Sequence, residues 1–418
     1  MTTATSCDAG LQKIVEITDD PAFIYDIDTV IRVPPSLTKF QFEKIAAMAY
    51  RANVSDIHLA SGEHIWFDVY GRMIKASNRP LNDEELRQLL GGMTSPSSLA
   101  MLASANPVNR AVSISPENLR NINYRFRLNA VKCRVGRYLG GLQVTMRSIP
   151  DMPPDIKNIG MQKEIMENLF PENGLCLFVG VTGSGKTTSL FAALRHIAET
   201  MPDKKIATAE DPVEFTFEKV KCIGMMPTQI EIGDDLTSYK QCIQEAMRRA
   251  AEVLLIGECR KMEEFGAMVD AALSGHATYS TLHAETVDQT INRILNMFPF
   301  EEQASIASKL MGSLRIVVAQ KLVKSIDGKR RVVREWLVFD RAIREYLSDI
   351  NMVDWTREIR RMVYQRGSSM LHSLVALVKD GSISQEVFFD ASGMRLEGAE
   401  AFLLRVSSNN PLDIKEAA

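Results

Sequence analysis

Cysteine is sparse and never closely paired in this 418-residue chain: the six (Cys7, Cys133, Cys176, Cys222, Cys242 and Cys259) include no C-x-x-C. That excludes a disulfide framework and a cysteine zinc module, and it points to a reducing cytoplasm. Long apolar runs are missing too. The richest, Leu175 to Val181, is broken by Gly180 and falls far short of the roughly 20 residues a membrane helix needs, so any membrane association is peripheral. Residues 1–20 lack the basic stretch and apolar core of a secretory signal, with Asp19 and Asp20 where such a core would run. Aromatic residues make up 7% of the chain and the net charge is −3. The basic footprint and stacking surface of a nucleic-acid binder are therefore absent, which argues against direct nucleic-acid binding.

What is present is an ordinary globular composition, 45% hydrophobic and 24% charged, in a chain too long for one core, so two or more domains are expected. After Pro34-Pro35, residues 38–51 place Phe42, Ile45, Ala46 and Ala49 at helical spacing, with Ser36 as the expected cap. Residues 57–59 and 65–70 read as strands, and Tyr70-Gly71-Arg72 as a hairpin turn into 73–75. A helix at 81–90, a loop-rich stretch at 91–109 around Pro96 and Pro107, and strands at 124–135 and 143–148 complete an antiparallel α+β domain over 1–149. Pro150, Pro153 and Pro154 fix backbone angles and remove donors, marking a linker at 150–155. Helix 162–169, strand 175–180, helix 187–200 and strands 205–209 and 253–257 then alternate as in a mostly parallel α/β sheet, expected to occupy 156–300. Residues 301–418 read as mostly helical, with one polar hairpin at 325–330 and a frayed tail from Ser407.

The chemistry concentrates in the α/β region. Gly180-Val181-Thr182-Gly183-Ser184-Gly185-Lys186-Thr187 satisfies G-x-x-x-x-G-K-[ST] between an apolar strand and an amphipathic helix, the context a P-loop requires. Backbone amides of Thr182, Gly183, Ser184 and Gly185, with Lys186, Thr187 and Thr188, are expected to hold the phosphates of ATP, and the Thr187 hydroxyl to hold Mg²⁺. Glu252 to Glu258 forms an apolar strand ending in an acid, where a Walker B strand delivers a group beside the γ-phosphate; Gly257 stands where the usual Asp would be. Glu258 is the expected activator of the attacking water, with a water-mediated hold on Mg²⁺. Glu210-Asp211-Pro212-Val213-Glu214 follows a second strand, and strand carboxyl ends converge on the ligand crevice. Glu210 there either arranges Mg²⁺ waters or caps the next segment. His276 and His283 bracket strand 278–282; each is either a structural histidine or, for His283, a sensor of the γ-phosphate. Together these residues predict a Mg-dependent ATPase.

The order of blocks GVTGSGKTTS, TAEDPVEF, VLLIGECR and ALSGHATYSTLHAETVDQTINRILNMFP closely resembles the PilT-like branch of the type II and type IV secretion ATPases. They correspond to its Walker A, Asp box, atypical Walker B and His box; SDIHLASGEHIWFDVYGRM, YRFRLNA and AIREYL resemble flanking family segments. The segment REWLVFDRAIREYL and the long stretch after Tyr138 lean toward the DotB and conjugative TraJ group of type IVB systems. Departures fall at Gln244, Ala251-Glu252 and Lys261. The resemblance implies a PAS-like N-terminal domain, a RecA-like motor domain and a hexameric cytoplasmic ring docked under an inner-membrane platform. It also implies N-terminal arginines reaching a phosphate, for which Arg127, Arg134 and Arg147 match. A RecA-like nucleic-acid translocase and a nucleotide-gated scaffold with little hydrolysis are the competing readings.

Overall fold

The computed structural model describes residues 13–394 apart from 19, 21, 70, 116–122, 151 and 260. Tyr70 of the expected hairpin turn and the expected tail from Ser407 lie outside the described residues. The chain divides between residues 151 and 152 into two compact units.

In the N-terminal unit, short strands β1 (Ile14–Val15) and β2 (Val30–Ile31) pair in parallel. Helix α1 (Lys39–Arg51) follows. Its cap is Thr38, not Ser36: the Thr38 hydroxyl accepts from the Gln41 amide while the Gln41 side chain accepts from the Thr38 amide, a reciprocal box that Ser36 is too early to make. Strands β3 (Asp56–Ala60), β4 (Trp66–Val69) and β5 (Arg72–Lys75) precede helices α2 (Asp83–Met93) and α3 (Pro96–Ala103), then β6 (Val108–Ile114), β7 (Tyr124–Val135) and β8 (Tyr138–Ile149). Helix α3 and strand β6 occupy much of the stretch expected to be loop. Pro96 stands in the first turn of α3, where its missing N–H costs no hydrogen bond. Gly140 and Gly141, which fall between the strands expected at 124–135 and 143–148, lie within β8. The strands form one antiparallel sheet in the order β5-β4-β3-β8-β7-β6. Phe42, Ile45, Leu89, Ile57, Phe67, Phe126 and Met146 make its core.

The C-terminal unit begins with a 3₁₀ turn, Ile156–Ile159, and α4 (Lys163–Asn168). It continues through β9 (Gly174–Val179), α5 (Lys186–Thr200), β10 (Ile206–Glu210), β11 (Thr228–Glu231), α6 (Tyr239–Arg248), β12 (Val253–Glu258), α7 (Met262–Leu273) and β13 (Ala277–Leu282). Then come α8 (Val287–Leu295), α9 (Phe300–Ser313), β14 (Leu314–Lys324), β15 (Arg330–Val338), α10 (Arg341–Asp349), α11 (Trp355–Gln365), α12 (Met370–Lys379) and α13 (Gln385–Ser392). A seven-stranded sheet runs β11-β10-β12-β13-β9-β14-β15, parallel except for β15. Residues of β9 alternate between two cores: Leu175, Leu177 and Val179 face one, Cys176 and Phe178 the other with Leu190, Phe191 and Leu194 of α5. Beyond Pro299 the expected helices are present, but β14 and β15 are long strands of this same sheet. The polar turn at 325–329 is only their tip, and the sheet does not end at residue 300. Among the described residues, no helix is long and apolar enough to cross a membrane.

Candidate active site

The carboxyl ends of the parallel strands carry the expected chemistry. Between β9 and α5 the loop 180–185 turns through positive φ at Gly180, Gly183 and Gly185 (+154°, +77° and +82°). At Gly180 a side chain has no room, since a Cβ would stand 2.3 Å from the Gln320 carbonyl oxygen and 2.5 Å from the Ser184 hydroxyl. Lys186 opens α5 at 8% exposure, and its ammonium donates to the carbonyls of Gly180 (2.7 Å) and Val181 (2.9 Å). Burial lowers its pKa, while the negative charges of Glu258 and Glu214 work to keep it protonated. The buried Ser184 hydroxyl has no protein partner. An unpartnered hydroxyl, a lysine folded onto its own loop and a helix N-terminus fit an anionic, oxygen-rich ligand. Thr187 is half-buried beside Lys186 and Thr188 is exposed, so the hydroxyl expected to serve Mg²⁺ stands at the first turn of the helix.

Glu258 ends β12, and His283 lies just past the end of neighbouring β13; the His283 Nε2 is 3.0 Å from the Glu258 carboxylate. Sequence spacing placed both at strand ends, and the sheet brings them into contact. Gly257 is fitted to its place: a Cβ there would be 3.2 Å from the Ala209 carbonyl of adjacent β10. The β12–β13 register shifts between Ile256 and Glu258, and Thr281 donates to the Gly257 carbonyl at 2.7 Å. His276 serves the local structure, with Nδ1 3.1 Å from the Ala271 carbonyl near the end of α7.

Glu210 is 3% exposed. It accepts from the Thr208 hydroxyl (2.7 Å), the Glu214 amide (3.0 Å) and the Gln229 side chain (3.1 Å), which braces β10 against β11. Three of about four acceptor sites on the carboxylate are thus taken by the protein. Desolvation pushes its pKa from 4.5 to about 7 in spite of these donors. The folded chain therefore retains a proton that the unfolded chain has released, so this contribution to stability is full below about pH 4.5 and disappears as pH rises through about 7. Glu210→Gln is expected to flatten the decline of thermal stability over that window, by at most about 3 kcal/mol. Paired melting curves of both chains at stepped pH measure it; parallel curves would mean the carboxyl titrates normally.

In the N-terminal unit, Arg127 on β7 and Arg147 on β8 are cross-strand neighbours, and Arg147 is in register with Asp56 of β3. Arg147 grips Asp56 through Nε (2.8 Å) and Nη2 (3.2 Å) while its side chain stays 68% exposed. Like charges directly opposite in a sheet repel, and the Asp56 carboxylate offsets that cost for Arg147. Arg134 lies toward the far end of β7, away from that pair.

Three residues of this region escaped the sequence reading. Gln320 of β14 and Arg334 of β15 are 1% and 0% exposed, and they form a hydrogen-bonded chain behind the phosphate loop. Glu335 accepts from the Val287 amide (2.9 Å) and the Met370 amide (3.4 Å), capping α8 and α12 together. Adjacent charges at 334 and 335 between the apolar pair Val332-Val333 and the apolar run Trp336-Leu337-Val338 were the available signal. A cleft of about 1340 Å³ is lined by Gly180, Val181, Gln320, Lys321, Arg360 and Tyr364 among others, but by none of residues 182–188, so it borders the start of the loop rather than the helix end where Lys186 stands.

Comparison with known proteins finds relatives of the chain and of its fold. The profile of the family described as Type II/IV secretion system protein matches residues 36–348. The Escherichia coli (strain K12) protein YggR, described as uncharacterized, is 32% identical over 296 residues, covering 71% of this chain and 85% of YggR. The X-ray structure of the Legionella pneumophila ATPase DotB superposes with a TM-score of 0.75 at 30% identity, covering 92% of this chain and 100% of DotB. The crystal structure of the pilus retraction motor PilT with bound ADP superposes with a TM-score of 0.73 at 28% identity, covering 85% of this chain and 98% of PilT.

Proposed function

The chain belongs to the type II/IV secretion system protein family and is an ATP-hydrolysing enzyme, and from that premise we propose that it is a ring-forming, Mg-dependent motor of a type IV secretion, conjugation or pilus machine. The observation that carries this reading is the meeting of Glu258 with His283 at 3.0 Å, with the Glu258 charge acting on Lys186. A carboxylate held by an imidazole beside the phosphate-binding lysine is placed to orient and deprotonate an attacking water. Thr182 to Thr188 hold the phosphates in this reading, and Thr187 with Glu258 are the residues that would hold Mg²⁺, which supplies charge neutralisation along the phosphates when bound. Glu210 sets the shape of the strand end beside them. The N-terminal unit is read as PAS-like and the C-terminal unit as RecA-like. The ring is a homohexamer in the cytoplasm, peripheral to the inner membrane, with platform proteins of the machine as partners.

In a ring, the arginine that meets charge developing on the phosphates comes from a neighbouring subunit, and such a group contributes about 10³-fold or more. Arg127 and Arg147, held side by side across β7 and β8, are assigned that role. Two inactive chains, Lys186→Ala and Arg147→Ala (or Arg127→Ala), are expected to regain part of their turnover when mixed, because some interfaces then combine an intact loop with an intact arginine. Phosphate release is measured on rings whose mixed composition native mass spectrometry verifies. No recovery in verified mixed rings rules out the trans arginine, and undiminished activity in a demonstrably monomeric chain rules out the ring.

A further inference from the structure

We propose that Gln320 is a positioning residue for the phosphate-binding loop and that Arg334 is the group that fixes how Gln320 is turned; this rests on the P-loop reading of residues 180–187. Ala319 of β14 is in register with Val179 of β9, so Gln320 stands level with the start of the loop. Its backbone oxygen leaves no space for a side chain at Gly180, and its side-chain Nε2 donates to the Ser184 carbonyl at 2.9 Å. One residue thereby contacts the loop at its entry and again where it joins α5. On the other side, Gln320 Oε1 accepts from the Ser189 hydroxyl of α5 (3.0 Å) and from Arg334 Nε (3.4 Å).

An amide side chain can present either its oxygen or its nitrogen to a given neighbour. Arginine only donates, so the atom facing Arg334 must be the oxygen, which leaves the NH₂ for the Ser184 carbonyl. Arg334 is itself anchored: it donates to the carbonyls of Gly160 (2.8 Å) and Ile159 (3.1 Å) and to Gln162 Oε1 (3.3 Å). Burial lowers its pKa to about 10, so it remains charged at neutral pH. Among the described residues no carboxylate pairs with it. A fully buried cation held by neutral acceptors alone is costly to keep, and its orienting effect on Gln320 is a return that an apolar residue could not give.

The effect on substrate binding follows from peptide geometry. In a planar trans peptide the C=O of Ser184 and the N–H of Gly185 point in opposite directions. Anchoring the Ser184 carbonyl on Gln320 therefore aims the Gly185 N–H away from the core, the direction a phosphate-cradling amide needs. Without the anchor this peptide rotates more freely and part of the binding energy goes into ordering it.

The discriminating variant is Gln320→Glu in the full chain. It keeps an acceptor for Ser189, gives Arg334 a counter-charge and replaces the donor to Ser184 by an oxygen that repels that carbonyl. We expect its melting temperature without nucleotide to match or exceed wild type, while calorimetric affinity for Mg-ADP weakens about 10-fold, or about 1.4 kcal/mol. The KM for ATP should rise by a similar factor with kcat changed less than about threefold. Gln320→Met, which removes all three side-chain hydrogen bonds at similar volume, should weaken Mg-ADP binding as well, and it decides the matter by the same measurement if the Glu variant fails to fold. Lys186→Ala separates the two layers of the argument. If Lys186→Ala binds Mg-ADP as wild type does, the P-loop reading itself is wrong. If Lys186→Ala loses binding while a folded Gln320 variant keeps wild-type affinity and KM, Gln320 does not position the loop and the proposal is overturned. A variant that melts lower yet shows the full wild-type rise on adding Mg-ADP also overturns it.

Discussion

Lys186→Ala is expected to hydrolyse ATP at least about 10³-fold more slowly than wild type and to bind it about 10- to 100-fold more weakly. The second figure is the weight of one or two hydrogen bonds from a charged donor, about 1.5 to 3 kcal/mol; the first adds the loss of a cation where phosphate charge develops. The ammonium spans the Gly180 and Val181 carbonyls at 2.7 and 2.9 Å, so on meeting phosphate it exchanges two neutral acceptors for charged ones and is hydrogen-bonded in both states. Its charge is maintained against burial by Glu258 and Glu214. The fold should survive the substitution, because alanine favours the first turn of α5 and the two released carbonyls lie at the end of the sheet beside solvent-exposed loop residues. Circular dichroism should therefore be unchanged while phosphate release falls to background. Wild-type turnover in a folded Lys186→Ala chain would remove the loop from the reaction.

Glu258→Gln should lower turnover by about 10²- to 10⁴-fold, the contribution of a positioned general base, while nucleotide affinity stays within a few-fold of wild type. The amide occupies the same volume and keeps a contact for the His283 nitrogen now at 3.0 Å, but it cannot take a proton from water. Removing the carboxylate also withdraws one of the charges that hold up the Lys186 pKa, so the variant should lose binding at lower alkaline pH than wild type. The direct observation is intact ATP recovered from the isolated variant after incubation with magnesium. Should Glu258→Gln turn over normally and Glu210→Gln be inactive, the base belongs to the end of β10.

How legible these features were depends on whether their cause is local. The phosphate loop was readable because the strand, the glycines and the Lys-Thr pair are contiguous, and Glu258 because it directly ends an apolar run. Helix α1 was readable from its spacing, although its cap was not, since Ser36 and Thr38 are both capping types and the reach of Gln41 selects Thr38. Strand β11 has just four residues at the edge of the sheet, and its identity comes from pairing with β10. Gln320 and Arg334 are the clearest cases of information stored in tertiary structure. Ser184 and Gln320 are 136 residues apart, and no pattern around either predicts their hydrogen bond. The contact between Glu258 and His283 is intermediate: each stood at a strand end, but only the adjacency of β12 and β13 makes them partners.

Gly257 has a consequence for how this site can change over generations. A single-base change converts some glycine codons to aspartate, so the acid found at this point of many nucleotide-binding strands arises repeatedly by chance. Any side chain there starts 3.2 Å from the Ala209 carbonyl and 3.5 Å from the Glu210 Cα, so β10 would have to give way by a few tenths of an ångström next to a carboxylate already held by three donors. The spacing of the two backbones thus sets the cost of the commoner residue at this position, and that cost is lowered only by a shift of β10.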